Sequence, residues 1–195
     1  MMRILGLDIS SARTGVVVLD GDDRTFSRVV MTHIDLTKRE GMWEKVDETR
    51  GFFQERAASE GFQGLDGIAV EEALLAFRPG LSSAQTITTL VRMNVLTCML
   101  VRDILGLTPS FIPSSSARKV CGIRTQQVGK CGKPIKDQVF DHMLQHDLSD
   151  LKSVWPMKKQ SKSSIEKGRA PRHQDWCYDV CDAYVIARAG MLLNI

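Results

Sequence analysis

Four carboxylates in this 195-residue chain stand where they could gather around divalent cations: Asp8, Glu71, Asp179 and Asp182. Asp8 closes the apolar run Arg3-Ile4-Leu5-Gly6-Leu7-Asp8, and Glu71 closes Gly67-Ile68-Ala69-Val70-Glu71. Asp179 and Asp182 lie three apart in Asp179-Val180-Cys181-Asp182-Ala183-Tyr184, a spacing that places both on one face of a helix. Acids from strand ends and one helical face can meet although they are remote in sequence. Gathered carboxylates repel one another, and hard cations relieve that repulsion through oxygen ligands. Mg²⁺ is the expected ion, with two ions per site and Mn²⁺ able to substitute, because paired Mg²⁺ ions serve in-line phosphodiester hydrolysis.

Each acid also has a plainer reading. Asp8 could be a strand-end turn acid, and Glu72 could replace Glu71, although strand alternation points it to the opposite face. Asp179 and Asp182 could be N-terminal helix acids favoured by the helix dipole. All four in one chain favour the metal reading.

The elements that must position them read as follows. Residues 3–9, 15–20 and 26–34 form three strands joined by short turns, one of them Gly21-Asp22-Asp23, which suggests an antiparallel meander. A helix over 40–60 follows, with Trp43, Val46, Phe53 and Ala57 on its apolar side and Gly61 as its stop. After a strand at 66–71, Ser82 or Ser83 caps a long helix reaching Leu105. Its many apolar residues, including Ile87, Leu90, Val95 and Met99, predict burial in the core or at a subunit contact. A short strand (108–112), helices at 114–120 and 134–146, and a final helix at 174–193 complete the chain. Residues 121–133, with Gly122, Gly129 and Gly132, read as a loop, and 152–173, with seven Lys/Arg, as a basic surface insertion or mobile loop. This order predicts a single α/β domain over 1–195 with a mixed sheet.

Charge is unevenly spread. The net charge is +3, yet residues 118–172 hold 13 Lys/Arg against 5 Asp/Glu, a local +8, and the remainder carries −5. An acidic body with a basic flank suits a polyanionic substrate; a solvated basic loop without a ligand is the plainer alternative. The 43% hydrophobic and 25% charged composition is ordinary for a soluble globular domain. No apolar stretch is expected to reach membrane-spanning length. The chain enters a strand almost at once, which predicts no signal or transit peptide and a cytoplasmic protein. The five cysteines are an odd number and argue against a disulfide framework. Cys121, Cys131, His142 and His146 could be imagined as a zinc site, but their spacing matches no common zinc motif.

The ordered set Gly6-Leu7-Asp8 with Thr14-Gly15, Ala69-Val70-Glu71, and Asp179-x-x-Asp182-Ala183 resembles the RuvC family of Holliday-junction resolvases, within the ribonuclease H-like fold. The match spans nearly the whole chain. Ser116-Ala117-Arg118-Lys119-Val120 and Gly132-Lys133-x-x-Lys136-Asp137-Gln138-Val139 are similar to the family's basic loop and helix start. The resemblance implies that the four acids bind metal and that Lys136 steadies charge near the scissile phosphate. It implies DNA contacts from Arg118, Lys119, Arg124, Lys130 and Lys133, which would touch phosphates without reading bases. It further implies a crossover junction endodeoxyribonuclease leaving 5′-phosphate and 3′-hydroxyl ends. A homodimer with two sites follows, the helix at 82–105 being the contact, and closed symmetric dimers are the commonest oligomers.

The chain departs from the family pattern at several points. Cys121 stands where a lysine is usual. Leu74 stands where an aromatic tends to follow the glutamate, with Phe77 coming later, either as a junction wedge or as core packing. The 152–173 insertion exceeds that of bacterial members, which fits a phage-encoded or otherwise divergent homologue acting in a host cytoplasm. Arg13 either lies near the site or braces a turn. Three other functions remain open on sequence: a nuclease for other branched DNA or RNA–DNA hybrids, a catalytically silent DNA-binding scaffold, and a phosphotransferase related to sugar kinases. The last is suggested by Asp8 followed by Thr14-Gly15, but it would require a second, similar domain.

Overall fold

The computed structural model describes residues 1–22, 25–73, 84–160, 163 and 171–195. Leu74, Phe77, Ser82 and Ser83 lie outside them, as does most of 161–170.

Strands β1 (Met2–Ile9), β2 (Arg13–Gly21) and β3 (Phe26–Asp35) form the antiparallel meander read from the sequence. β4 (Gly67–Glu71) then pairs parallel with β1, and β5 (Ser110–Ile112) parallel with β4, giving the order β3-β2-β1-β4-β5. Reaching β4 parallel to β1 requires a crossover, which helix α1 (Met42–Arg56) supplies. The remaining helices are α2 (Ala84–Leu105), α3 (Ser114–Val120), α4 (Val128–Cys131), α5 (Ile135–Gln145) and α6 (Asp175–Leu192).

β1 and β4 are buried on both faces, so their alternating side chains feed two cores. Leu5, Leu7, Val16, Val18, Ile68 and Val70 pack under α1 and α2 with Phe53, Met93 and Val101. Ile4, Val17, Leu19 and Ala69 face α6, which is buried along most of its length. That alternation sends Gly6 and Asp8 of β1, and Ala69 and Glu71 of β4, to the α6 side.

Several boundaries differ from expectation. Trp43 is 70% exposed and is not on the buried face of α1, which uses Val46, Thr49 and Phe53. The stretch 121–133 is not all loop: it holds the single turn α4, with Gly129 inside it, and Gly132 closes it at φ 69°. The 152–173 segment is not wholly superficial either. Trp155 is buried and stacks on Phe140, and Met157 bridges antiparallel to His173. α2 is 22 residues long and contains an 18-residue window of mean hydropathy 1.2, which meets the length and apolarity of a membrane span, where the sequence reading expected no stretch to do so. It carries Arg92, Arg102 and Asp103, and one side of it is seated in the core through Met93, Thr97, Cys98 and Val101.

Candidate functional site

Asp8 and Glu71 leave neighbouring parallel strands at the same end. Leu7 pairs with Val70, so the next residue on each strand is an acid, and both belong to the α6 face. Adjacent strands lie about 4.8 Å apart, which makes the two carboxylates neighbours. Asp179 and Asp182 meet them because α6 comes unusually close to the sheet. Asp8 pairs with Gly15, and a Cβ built on Gly15 would fall 2.1 Å from the Asp179 carbonyl oxygen. At Gly6 a Cβ would fall 2.4 Å from the Ala183 oxygen. Two glycines against Ala183 and Ala187 therefore let a helix lie where any larger residue would hold it off. Asp179 and Asp182 are in the second turn of α6 or beyond, so the helix N-terminus does not account for them; Asp175 occupies the first turn.

Asp8 and Asp182 feel the acids around them. Burial pushes the partly buried Asp8 carboxyl well above its ordinary range, and Glu71, Asp182 and Asp179 push it further, with Lys136 opposing. Burial likewise raises Asp182 to about 6, with Lys136 opposing and Glu71 and Asp179 adding. Lys136, on the first turn of α5, donates to Asp179 Oδ1 at 2.8 Å and stands 3.2 Å from Asp182 Oδ2. Burial would lower the Lys136 ammonium, but Asp182, Asp8 and Asp179 more than reverse this and hold it charged.

Two contacts orient these acids, one from Arg13, whose place the sequence left open, and one from Ser114, which the sequence reading missed. Arg13 Nε donates to Asp179 Oδ2 at 2.8 Å, which settles Arg13 beside the site rather than as a turn brace alone. Ser114 Oγ donates to Glu71 Oε1 at 2.6 Å. The only sequence signal for either is position: Arg13 opens β2 next to Gly15, and Ser114 opens α3. Glu72, by contrast, is exposed, and its backbone N–H serves the ladder to Ile112. Across β2, Gly15 pairs with His33, whose ring stacks on Trp176 of α6 at 5.0 Å.

The donor set suits a hard divalent cation: four carboxylates and no competing thiolate or imidazole among them. Asp8 accepts no hydrogen bond from any described side chain, so a partly buried carboxylate is left for a cation to satisfy. As the side chains stand, no three acid, His or Cys groups among the described residues are gathered closely enough to cage an ion. The Lys136 ammonium lies between Asp179 and Asp182 instead.

Arg118 lines a small cleft with Glu71, Ser114 and Asp182. Lys119, Arg124 and Lys130 are exposed and, with Arg118, form no salt bridge among the described residues, whereas Lys133 pairs with Asp141. Cys121 is buried with its thiol on the Val185 carbonyl, while Cys131 is exposed, so the two are not presented to a common ligand. His142 and His146 pack ring to ring at 4.5 Å.

No protein-family model matches the chain, and a search of curated proteins finds no match. Among solved structures, Thermus thermophilus RuvC in complex with Holliday junction substrate aligns with a TM-score of 0.60. The alignment covers 100% of this chain and 95% of that one, at 10% identity. A second Thermus thermophilus RuvC structure aligns at a TM-score of 0.60 and 14% identity, over 99% and 95% of the two chains. A mixed sheet in the order β3-β2-β1-β4-β5 with α6 across one face, aligned end to end at so low an identity, makes this chain a sequence-divergent bearer of the RuvC, ribonuclease H-like fold.

Proposed function

We propose that this protein is a metal-dependent, structure-selective DNA endonuclease that resolves four-way junctions by paired nicks. The observation that carries the reading is the approach of Asp8 and Glu71 from the sheet and Asp179 and Asp182 from α6 at one end of the sheet, with Lys136 on Asp179 and Asp182 and Arg118 beside Glu71 and Asp182. A similarly folded RuvC is described in complex with Holliday junction substrate, which supports the choice of substrate.

In this reading the four acids would hold two Mg²⁺ ions, or Mn²⁺ in their place. When bound, such a pair activates water and steadies the leaving oxygen of a phosphodiester, giving 5′-phosphate and 3′-hydroxyl ends. The protein's own groups supply order. Ser114 fixes which oxygen of Glu71 is free, and Arg13 fixes the rotamer of Asp179. Lys136 supplies positive charge where a phosphoryl group gathers negative charge. Arg118, Lys119, Arg124 and Lys130 hold flanking phosphates and fix the register of the strand. Lys133, tied to Asp141, contributes less than the sequence implies.

Two symmetric cuts require two sites, so the working unit is a homodimer. α2 is the contact: Val95 and Met99 are 49% and 57% exposed on a helix whose other side is seated in the core. Such apolar exposure is the mark of an interaction face.

The discriminating experiment is a panel of labelled substrates in Mg²⁺: four-way junction, flap, linear duplex and RNA–DNA hybrid. Cleavage of the junction alone supports the resolvase. Cleavage of a hybrid or flap instead moves the substrate and keeps the chemistry. Tight junction binding without cleavage in Mg²⁺ or Mn²⁺ supports a silent scaffold.

A further inference from the structure

The acid cluster already contains a cation. Lys136 Nζ lies 2.8 Å from Asp179 Oδ1 and 3.2 Å from Asp182 Oδ2, bridging two of the four carboxylates. The other Asp179 oxygen is taken by Arg13 Nε at 2.8 Å, so both oxygens of this acid are engaged. Among the described residues, no three acid, His or Cys groups stand close enough together to hold an ion. We propose that Lys136 is the resident counter-ion of the metal-free site, and that a divalent cation enters by displacing its ammonium from Asp179 and Asp182.

Of the two cations on Asp179, Lys136 is the one built to leave. Arg13 is anchored at the first residue of β2, and its side chain is 23% exposed. Its planar guanidinium holds a carboxylate in a fixed geometry. Lys136 projects from the first turn of α5 on a flexible four-carbon stem and is 44% exposed, so it can swing outward without moving the backbone. One ammonium also under-compensates the cluster: Lys136 and Arg13 bring two positive charges to four carboxylates. A divalent ion therefore has a net attraction to the site, but it must first break the Lys136 ion pairs.

The exchange links two events. While Lys136 bridges Asp179 and Asp182, its ammonium is turned inward and cannot meet a phosphate. Displaced by metal, it is released on the exposed side of the acids, where the substrate backbone would run. Metal loading and readiness of the phosphate-binding lysine are then one step, and DNA that captures the released ammonium favours metal binding in return. This inference rests on reading the acids as metal ligands.

The test is Mn²⁺ binding to the DNA-free protein, followed by electron paramagnetic resonance of the free ion. Lys136→Gln should bind Mn²⁺ at least about tenfold more tightly than wild type, the size of effect expected when a direct competitor is removed. Lys136→Arg, which keeps a cation at the position, should remain as weak as wild type. Arg118→Gln controls for charge acting at a distance, since Arg118 borders Glu71 and Asp182 without pairing to them; it should change affinity less than about twofold. If Lys136→Gln is too unstable for titration, its thermal midpoint against Mn²⁺ concentration reads the same preference, and it should rise more steeply than that of wild type. Equal affinity in wild type and Lys136→Gln, or equal tightening by Arg118→Gln, would overturn the exchange while leaving the metal site intact. Absence of Mn²⁺ binding in every protein would remove the metal reading itself, and this inference with it.

Discussion

Gly15 of β2 touches the backbone of Asp179: a Cβ placed on Gly15 would lie 2.1 Å from the Asp179 carbonyl oxygen and 3.0 Å from the Ala183 methyl. Since Gly15 pairs with Asp8 across β1–β2, this contact sets the distance between an acid of the sheet and an acid of the helix. Gly15→Ala should push α6 away. We expect a loss of about 3 kcal/mol in stability, at the upper end of overpacking costs. Mg²⁺-dependent cleavage should fall at least about a hundredfold, since a shift near 1 Å suffices for that. Denaturant melts and single-turnover kinetics would check both. Full activity would show that the spacing is not set at this glycine.

The coupled acids should make the metal-free protein less stable than it could be. Folding raises the Asp8 and Asp182 carboxyl pKa values above their unfolded values. Their stabilising effect is therefore complete below the ordinary 3.8 and is lost as pH rises through the folded value, about 6 for Asp182. Above that range the native state must carry their mutual repulsion. Asp8→Asn should accordingly melt higher than wild type in EDTA at pH 7.5. The gain should be roughly 3–6 °C, as about 1–2 kcal/mol gives in a domain of this size. The difference should shrink toward pH 4. Mg²⁺ should raise the wild-type midpoint and leave Asp8→Asn nearly unmoved. A lower midpoint for Asp8→Asn at pH 7.5 would contradict the assignment.

Much of this arrangement is legible in the residues, because period-two alternation and register carry it. Leu5, Leu7, Ile68 and Val70 mark one face of β1 and β4, which fixes Asp8 and Glu71 on the other. The i, i+3 spacing of Asp179 and Asp182 likewise survives into α6. What is not legible depends on how elements meet. Arg13 and Ser114 are separated from their carboxylate partners by 166 and 43 residues, and no local pattern announces such a pairing. Trp43 misleads because helical spacing says which residues share a face but not which face the core takes. Trp155 is hidden by its neighbours: a basic, Pro-bearing segment reads as surface, yet one large ring in it fills the space beside Phe140.

The basic surface should act on DNA through charge alone. Arg124→Gln and Lys130→Gln are exposed changes without salt bridges to break among the described residues, so stability should hold within about 0.5 kcal/mol. Junction affinity should fall several-fold for each. The slope of log affinity against log salt should lessen by about 0.9 for each phosphate no longer neutralised. Fluorescence anisotropy across a salt series would read it; an unchanged slope would place the DNA path elsewhere.

Met99→Asp should separate the subunits. Met99 is 57% exposed on α2, and a charge there costs the monomer little but is expensive when buried between two copies. Sedimentation should show a dimer for wild type and a monomer for the variant, with junction cleavage reduced to single, unpaired nicks. A wild-type monomer at micromolar concentration would remove α2 as the contact.

The most direct measurement is strand-by-strand mapping of cuts in a labelled four-way junction incubated with Mg²⁺ and either wild type or Asp8→Asn. We expect symmetric nicks on two opposing strands for wild type, with 5′-phosphate ends that a ligase can seal. Asp8→Asn should bind the junction and leave it uncut. Nicks that persist in Asp8→Asn, or a wild-type protein that binds the junction and leaves every strand whole in both Mg²⁺ and Mn²⁺, would contradict a metal-dependent resolvase.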